Sequence, residues 1–148
     1  MVDVSAKPAT LREATARAEV RMHRATLSLI AANQIAKGDV LTLAQVAGVM
    51  AGKRTAKLIP LCHPLPLTDV QVRVEPDERV PGVTIEASAR TVAQTGVEME
   101  ALVAASVAAL TVYDMCKAAD REMTIDRVRL VFKRGGRSGE FRRPEEDA

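Results

Sequence analysis

The chain has 148 residues, the size of one ordinary domain and enough to bury a core without disulfides or structural metal. Its 21 Lys and Arg nearly balance its 19 Asp and Glu, so the net charge of +2 gives no global attraction to nucleic acid or membrane. With one Tyr, two Phe and no Trp, the chain lacks the aromatic platforms of single-stranded nucleic-acid binders.

The cysteines and the N-terminal residues predict the cellular compartment of the protein. Cys62 and Cys116 are enough for one disulfide, but Met1-Val2-Asp3 does not begin the charged and then apolar pattern of a signal peptide. We therefore expect reduced cysteines and a cytoplasmic protein. The weakly polar run 101–113 is shorter than the roughly 18 residues of a spanning helix, which predicts a buried helix and no membrane partner.

The first predicted elements are a strand and two helices. Residues 18–22 alternate apolar and polar side chains, the period of a strand with one buried face. Apolar spacing predicts a helix over 25–37 that stops at Gly38. A second helix is predicted to begin near Thr42, which fits a capping box with Gln45.

A hairpin and a long helix follow. Valines alternate with polar residues over 70–74 and apolar residues alternate again over 83–87, with proline and glycine between them. The longest helix is predicted over 97–119, opened by a capping box of Thr95 and Glu98. Its many alanines allow close packing and favour a surface for another subunit.

A last strand is predicted over 125–132. This order of elements predicts an α+β fold in which an antiparallel sheet carries its helices on one face. We predict one domain over 1–141, and residues 142–148 as a polar, disordered tail.

Cys62 and His63 lie side by side in a loop stiffened by Pro60, Pro64 and Pro66. A rigid loop of this kind positions a thiol and an imidazole well for a ligand, but a buried Cys and a satisfied core His explain the residues equally well. The spacing of the Cys and His residues does not match that of structural zinc sites, so we predict no metal site.

Acidic and basic residues mark both ends of the long helix. Asp114 and Lys117, three apart near its end, are either an acid and base pair or, on these residues alone the better reading, a surface ion pair. Glu98 and Glu100 begin the helix, where the helix dipole favours them. The 14 residues from Glu100 to Asp114 span roughly 21 Å, so both ends could serve one small substrate only if two chains meet around a two-fold axis.

Basic residues gather at Lys37, at 53–54 and at Lys133, Arg134 and Arg137, and no Walker-type phosphate loop is present. Any phosphate would have to be held by such side chains through charge-assisted hydrogen bonds. Lys37 is also explained as a lysine at the end of a helix.

Five separated blocks, in order and spacing, resemble the cyclic pyranopterin monophosphate synthase (MoaC) family from residue 1 to about residue 141. The blocks are MVDVSAK at 1–7, KGDV at 37–40, KRTAKLIPLCHPL at 53–65, TGVEMEAL at 95–102 and TVYDMCKA at 111–118.

The resemblance implies a ferredoxin-like subunit that assembles as a homohexamer of three dimers, with active sites at the dimer interface. It implies a phosphorus-oxygen lyase of molybdenum cofactor biosynthesis that converts 3′,8-cyclised dihydro-GTP to cyclic pyranopterin monophosphate and releases pyrophosphate. No redox cofactor is expected, and Mg²⁺ is a candidate companion of the phosphates.

The resemblance also implies roles for individual residues. Asp114 would be the catalytic aspartate, Lys117 the proton-transferring lysine beside it, and Lys37 a second essential lysine. Two segments would contact the substrate, and two further residues are candidates for the triphosphate. The substrate segments are Leu61, Cys62 and His63, and Glu98, Met99 and Glu100; the triphosphate candidates are Arg12 and Lys133.

Two rival functions remain at this stage. A non-catalytic nucleotide-sensing module would also explain an oligomer with basic clusters, because a fold does not decide a function. A nucleic-acid binder would use the basic segment 133–143, but the acidic residues at 145–147 offset that charge.

Overall fold

The computed structural model describes residues 1–144, which form an α+β fold, as predicted, around one sheet of five strands. The sheet order is β2-β3-β1-β4-β5, and every pair of neighbouring strands is antiparallel. The elements in chain order are β1 (Thr10–Arg21), α1 (Arg24–Ala31), α2 (Val40–Gly52), α3 (Thr55–Leu58), β2 (Leu67–Asp77), β3 (Gly82–Ala93), α4 (Glu98–Cys116), β4 (Thr124–Arg134) and β5 (Phe141–Arg142).

The two faces of the sheet differ because side chains alternate along each strand. In β1, the central strand, Ala14, Ala16 and Ala18 are buried against the helices. On the opposite face Arg17 of β1 pairs with Glu86 of β3 at 2.7 Å. The helices therefore cover one face, and a charged face with ion pairs lies on the other.

Helix α4 is the centre of the core. Among residues 1–144 it is the one helix long and apolar enough to cross a membrane, yet it packs against α2 and the sheet. Ala101, Ala104, Ala105 and Ala108 are each 0% exposed. The prediction of a buried helix is confirmed, since these small side chains let the neighbouring backbone approach closely.

The predicted end of the first helix and the predicted cap of the second are wrong. Helix α1 ends at Ala31, and Asn33 turns the chain with φ at 54°, well before Gly38. Helix α2 begins at Val40 because Asp39 caps it, its Oδ1 accepting from the Thr42 backbone N–H at 3.1 Å. An Asp directly before a helix accepts from a backbone N–H that would otherwise be unpaired. The cap of α2 is therefore Asp39 and not Thr42.

The predicted capping box of the long helix is also wrong. Helix α4 begins at Glu98 after Val97, and no side chain caps it. It ends at Cys116 rather than near Ala119. Glu98 is thereby left to contact another element, described below.

The chain after β4 continues in ordered contacts with the sheet. Arg142 lies in β5 with its guanidinium carbon 4.8 Å from the ring centre of Phe132, and the Arg143 backbone N–H donates to the Val131 carbonyl at 2.8 Å. Of the predicted polar tail, residues 145–148 lie outside the described part of the chain. The domain boundary at residue 141 stays a prediction.

Candidate active site

Three predicted catalytic residues meet at the end of α4. The Asp114 carboxylate accepts from Lys117 Nζ at 2.6 Å through Oδ1 and from Lys37 Nζ at 2.9 Å through Oδ2. Lys37 Nζ also donates to the Asp114 backbone carbonyl at 3.1 Å. We call Lys37, Asp114 and Lys117 the lysine–aspartate cluster.

The loop after α1 brings Lys37 to this point. Ile35 is buried in the core with 8% exposure, and the Gly38 backbone N–H closes a turn on the Ile35 carbonyl at 3.0 Å. Gly38 has φ at 116°, a conformation that suits glycine. With Ile35 fixed inside and the chain turning at Gly38, Lys37 points outward across the end of α4.

The lysine–aspartate cluster keeps its carboxylate ionised. Hydrogen bonds from Lys117 and Lys37, followed by their positive charges, lower the pKa of Asp114 to about 2. These cations outweigh the C-terminal end of the helix dipole, which disfavours a carboxylate. Two cations share one anion here, so the cluster presents a net positive charge.

At the other end of α4, Glu98 is tied to the last long strand. Lys133 Nζ of β4 donates to Glu98 Oε1 at 3.0 Å and to Ser138 Oγ at 2.8 Å. Gly96 lies directly beneath the Glu98 carboxylate, and any side chain at position 96 would overlap it. Lys133 therefore lies at the start of α4. The sequence alone did not indicate which element Lys133 would contact.

Glu100 is a buried carboxyl group with an unused oxygen. Its exposure is 2%, and Oε2 has no hydrogen-bond partner among the described residues. Burial, with a smaller contribution from the charge of Glu98, raises the pKa of Glu100. The side chain lines a cavity of about 150 Å³ whose rim carries Lys53, Arg54 and Lys57.

The Cys62 and His63 loop approaches the same end of α4. Burial raises the pKa of the Cys62 thiol, and the carboxylates of Glu100 and Glu98 raise it further. A raised pKa leaves less of the thiol as thiolate, the form that acts as a nucleophile. The His63 Nε2 lies 2.8 Å from the Val2 carbonyl oxygen, which fixes the imidazole against the N-terminal segment.

Arg12 lies beside this group of residues under the loop that joins β4 and β5. Its Nε donates to the Ala93 carbonyl and its Nη2 to the Gln94 carbonyl, both at 3.3 Å, and the residue is 9% exposed. Gly136 leaves room for the guanidinium, which a side chain at position 136 would overlap. We call the residues around the beginning of α4 the helix-start group: Arg12, Leu61, Cys62, His63, Glu98, Met99, Glu100 and Lys133.

The chain does not bring its two groups of site residues together. Helix α4 runs without a break from Glu98 to Cys116, so Glu100 and Asp114 are roughly 21 Å apart along its axis at 1.5 Å per residue. Leu61 and Met99, at the helix-start group, are 71% and 36% exposed and carry apolar surface into solvent. Each of the two groups therefore holds only some of the predicted site residues.

Sequence reasoning missed several partners of these residues. The capping box assigned Glu98 to a local contact, so its ion pair with Lys133 was not predicted. No rule based on residue spacing predicts that Ser138 or the Val2 carbonyl contacts a site residue. Within residues 1–144 no group of three or more His, Cys, Asp or Glu side chains could hold a metal ion. The absence of a metal from the mechanism stays a prediction.

The fold and the two groups define a class of protein: a small α+β protein with a lysine–aspartate cluster at one end of its core helix and, at the other, a buried carboxyl group beside a partly buried thiol. The MoaC family model matches residues 1–136. The chain belongs to the MoaC family.

Curated relatives match almost the whole chain. The protein of Thermomicrobium roseum is 60% identical over 148 residues, which are 100% of this chain and 89% of the relative. That of Roseiflexus sp. is 63% identical and that of Nostoc sp. 57% identical, each over 95% of this chain and over 89% and 84% of the relative. All three are named cyclic pyranopterin monophosphate synthase, which confirms the predicted family and enzyme class.

Proposed function

We propose that this chain is a cyclic pyranopterin monophosphate synthase, a lyase of molybdenum cofactor biosynthesis. It converts 3′,8-cyclised dihydro-GTP to cyclic pyranopterin monophosphate and releases pyrophosphate. The observation that carries the proposal is identity of 57–63% to proteins of that name over at least 95% of this chain.

In this proposal the lysine–aspartate cluster performs the proton transfers that open one ring and close another. Asp114, with a pKa of about 2, stays ionised at neutral pH and is neither the proton donor nor a strong base. It holds the ammonium groups of Lys117 and Lys37 within 3 Å of one carboxylate. The two lysines are then the groups that exchange protons with the substrate.

The helix-start group binds the substrate. A carboxyl oxygen of Glu100 that is buried without a partner among residues 1–144 favours a ligand that supplies a hydrogen bond, as the donor-rich edge of a purine-derived ring does. Met99 and Leu61 contribute apolar contact beside it, while Cys62, His63 and Glu98 shape the pocket.

Arg12 and Lys133 are the proposed ligands of the triphosphate. In the last step a hydroxyl oxygen of the substrate bonds to the α-phosphorus, its proton leaves to a base, and the bond from that phosphorus to pyrophosphate breaks. Cations around the phosphates stabilise the developing charge. If Mg²⁺ accompanied the phosphates, the phosphate oxygens would be its main ligands and it would help to neutralise their charge, since the described residues offer no cluster of three acidic or metal-binding side chains.

We also propose a ferredoxin-like subunit, a cytoplasmic homohexamer of three dimers, and a pocket shared between two chains. The order β2-β3-β1-β4 of the four long strands supports the fold. An exposed apolar row on α2 supports the assembly, because Leu43, Val46 and Met50 are 45–50% exposed. In a dimer the helix-start group of one chain would complete the lysine–aspartate cluster of the other.

The test of the proposed function is direct. Purified protein incubated with 3′,8-cyclised dihydro-GTP should release pyrophosphate and the cyclic pterin monophosphate in equal amounts. Binding of the nucleotide without any pyrophosphate would contradict the proposal and would favour a non-catalytic nucleotide-sensing module. Tight binding of RNA or DNA with steep salt dependence would instead favour a nucleic-acid binder.

A further inference from the structure

Asp120 is a buried carboxylate in the loop that follows α4, and the site described above does not use it. It is 4% exposed. Its Oδ2 accepts from the His23 backbone N–H and from Thr26 Oγ1, both at 3.0 Å, and its Oδ1 accepts from the Glu122 backbone N–H at 3.0 Å. Burial alone would raise the pKa of Asp120, but the hydrogen bonds from His23, Glu122 and Thr26 outweigh it and leave that pKa lowered.

These hydrogen bonds join two elements that are distant in sequence. Helix α1 begins at Arg24 without a side-chain cap of its own and without an acid in its first turn. Asp120, 94 residues after Thr26, provides an acceptor and a negative charge at this helix start. A carboxylate there pairs with unsatisfied donors and interacts favourably with the positive end of the helix dipole. The start of α1 is thereby fixed to the loop that ends α4.

The lysine–aspartate cluster lies close in the chain to both of these elements. Asp114 and Lys117 lie on the last turn of α4 and at its end, and Lys37 comes from the loop after α1. Within this cluster Lys37 reaches Asp114 from an element 77 residues away, whereas Lys117 is three residues away on the same helix. Lys37 is therefore the member whose position depends on how α1 is held.

We propose that Asp120 is a positioning residue that holds Lys37 against Asp114 by fixing the start of α1 to the end of α4. The inference rests on the proposed function in so far as Lys37 takes part in turnover. It assigns to Asp120 no contact with the substrate.

The kinetic test uses Asp120→Asn, which keeps the size of the side chain but replaces one acceptor oxygen by a donor. Misplacement of a catalytic group by about 1 Å costs up to about 100-fold, so kcat should fall by about 10- to 100-fold while KM changes less than about twofold. In a Lys37→Ala background the same substitution should cost nothing further, because the group that it positions is gone. An unchanged kcat, or an equal loss in both backgrounds, would overturn the proposal.

Asp77→Asn is the matched control. Asp77 also accepts a backbone N–H two residues on, from Arg79 at 2.9 Å, but it lies at the end of β2, and its carboxylate pairs with the Arg79 guanidinium at 3.0 Å. It should leave kcat unchanged. A loss equal to that of Asp120→Asn would show that general loosening of the fold, rather than positioning, lowers kcat.

A readout without activity separates this inference from the proposed function. Carboxyl ¹³C NMR should show the Asp114 pKa rising in Asp120→Asn, as it also should in Lys37→Ala, and staying low in Asp77→Asn. If Asp120→Asn does not fold, Thr26→Ala removes one donor and should give a smaller rise, which Thr26→Ser should reverse. An Asp114 pKa that stays at its parental value in Asp120→Asn and in Thr26→Ala would refute the positioning role, even if the parent releases pyrophosphate.

Discussion

Lys37 Nζ lies 2.9 Å from Asp114 Oδ2, although 77 residues separate the two in the chain. The same ammonium group donates to the Asp114 backbone carbonyl at 3.1 Å, so it also satisfies an acceptor at the end of α4. This double contact fixes the loop after α1 across the end of the core helix and completes a cluster whose other members are neighbours on that helix.

The first prediction concerns the lysines of this cluster. Lys117→Ala and Lys37→Ala should each lower kcat by on the order of 10²- to 10⁴-fold, the range that a positioned acid or base contributes. Circular dichroism and size-exclusion chromatography should show a folded, assembled protein, because both lysines are about half exposed. Arg24→Ala, which removes a cation from an exposed ion pair with Glu78, is the control and should leave kcat unchanged.

The second prediction concerns the ionisation of Asp114. Its pKa of about 2 lies below the ordinary value of 3.8, so the ion pairs stabilise the folded chain fully above the ordinary pKa. That stabilisation is lost as the pH falls from about 4 towards about 2. In a Lys37→Ala and Lys117→Ala double variant, carboxyl ¹³C NMR should find the Asp114 pKa close to 3.8. A pKa that remained near 2 would mean that other groups hold the charge.

The third prediction concerns Glu100. Burial raises its pKa in the folded chain, so the charged form opposes folding and stability falls as the pH rises from about 4.5 through the raised folded pKa. Glu100→Gln removes this penalty and should raise Tm at pH 8 relative to the parent while lowering substrate affinity. At pH 4, where the parent is protonated, the difference in Tm should shrink. A variant less stable than the parent at pH 8 would contradict the reading of Glu100 as an unpaired acid.

The fourth prediction concerns the contact of α2 with α4. A Cβ at Gly48 would lie 2.9 Å from the Ala104 carbonyl oxygen and 3.0 Å from Val72 Cγ2, closer than real side chains approach. Gly48→Ala should therefore lower the free energy of unfolding by about 1–3 kcal/mol, although alanine favours a helix. Gly52→Ala, whose nearest contacts would be 3.4 Å, should change it by much less. Urea unfolding measures both, and a more stable Gly48→Ala would show that the helices can separate at no cost.

Much of the fold could be predicted because local patterns report burial. The alternating valines of β2 and the apolar residues of β3 gave their pairing, in which Val72 faces Ala87 and Val74 faces Ile85. The alanine-rich run gave α4 as a buried helix. Both patterns arise because one face of the strand or helix packs against the core. Apolar residues then recur in the sequence at the period of that face.

The helix ends and the contacts between distant residues could not be predicted in the same way. Several residues near each helix start satisfied the rules for a cap, and tertiary contacts chose among them: Gln45 Oε1 accepts from the Val74 backbone N–H at 3.3 Å instead of closing a capping box, and Glu98 pairs with Lys133. Nothing in the spacing of Lys37 and Asp114 indicates that they touch. The family resemblance named both, but only the fold shows that they touch.

If one pocket draws on two chains, complementation between variants that are inactive at low substrate concentration tests it most directly. At a substrate concentration too low for turnover by Glu100→Gln alone, Lys117→Ala and Glu100→Gln are mixed in equal amounts under conditions that allow subunit exchange. The mixture should recover roughly a quarter of the parental activity, because half of the dimers are mixed and each of these holds one intact pocket. Lys37→Ala mixed with Lys117→Ala should recover none, since both changes lie in the same cluster of one chain. Failure of the first pair to recover activity despite verified exchange, or equal recovery by both pairs, would contradict the account.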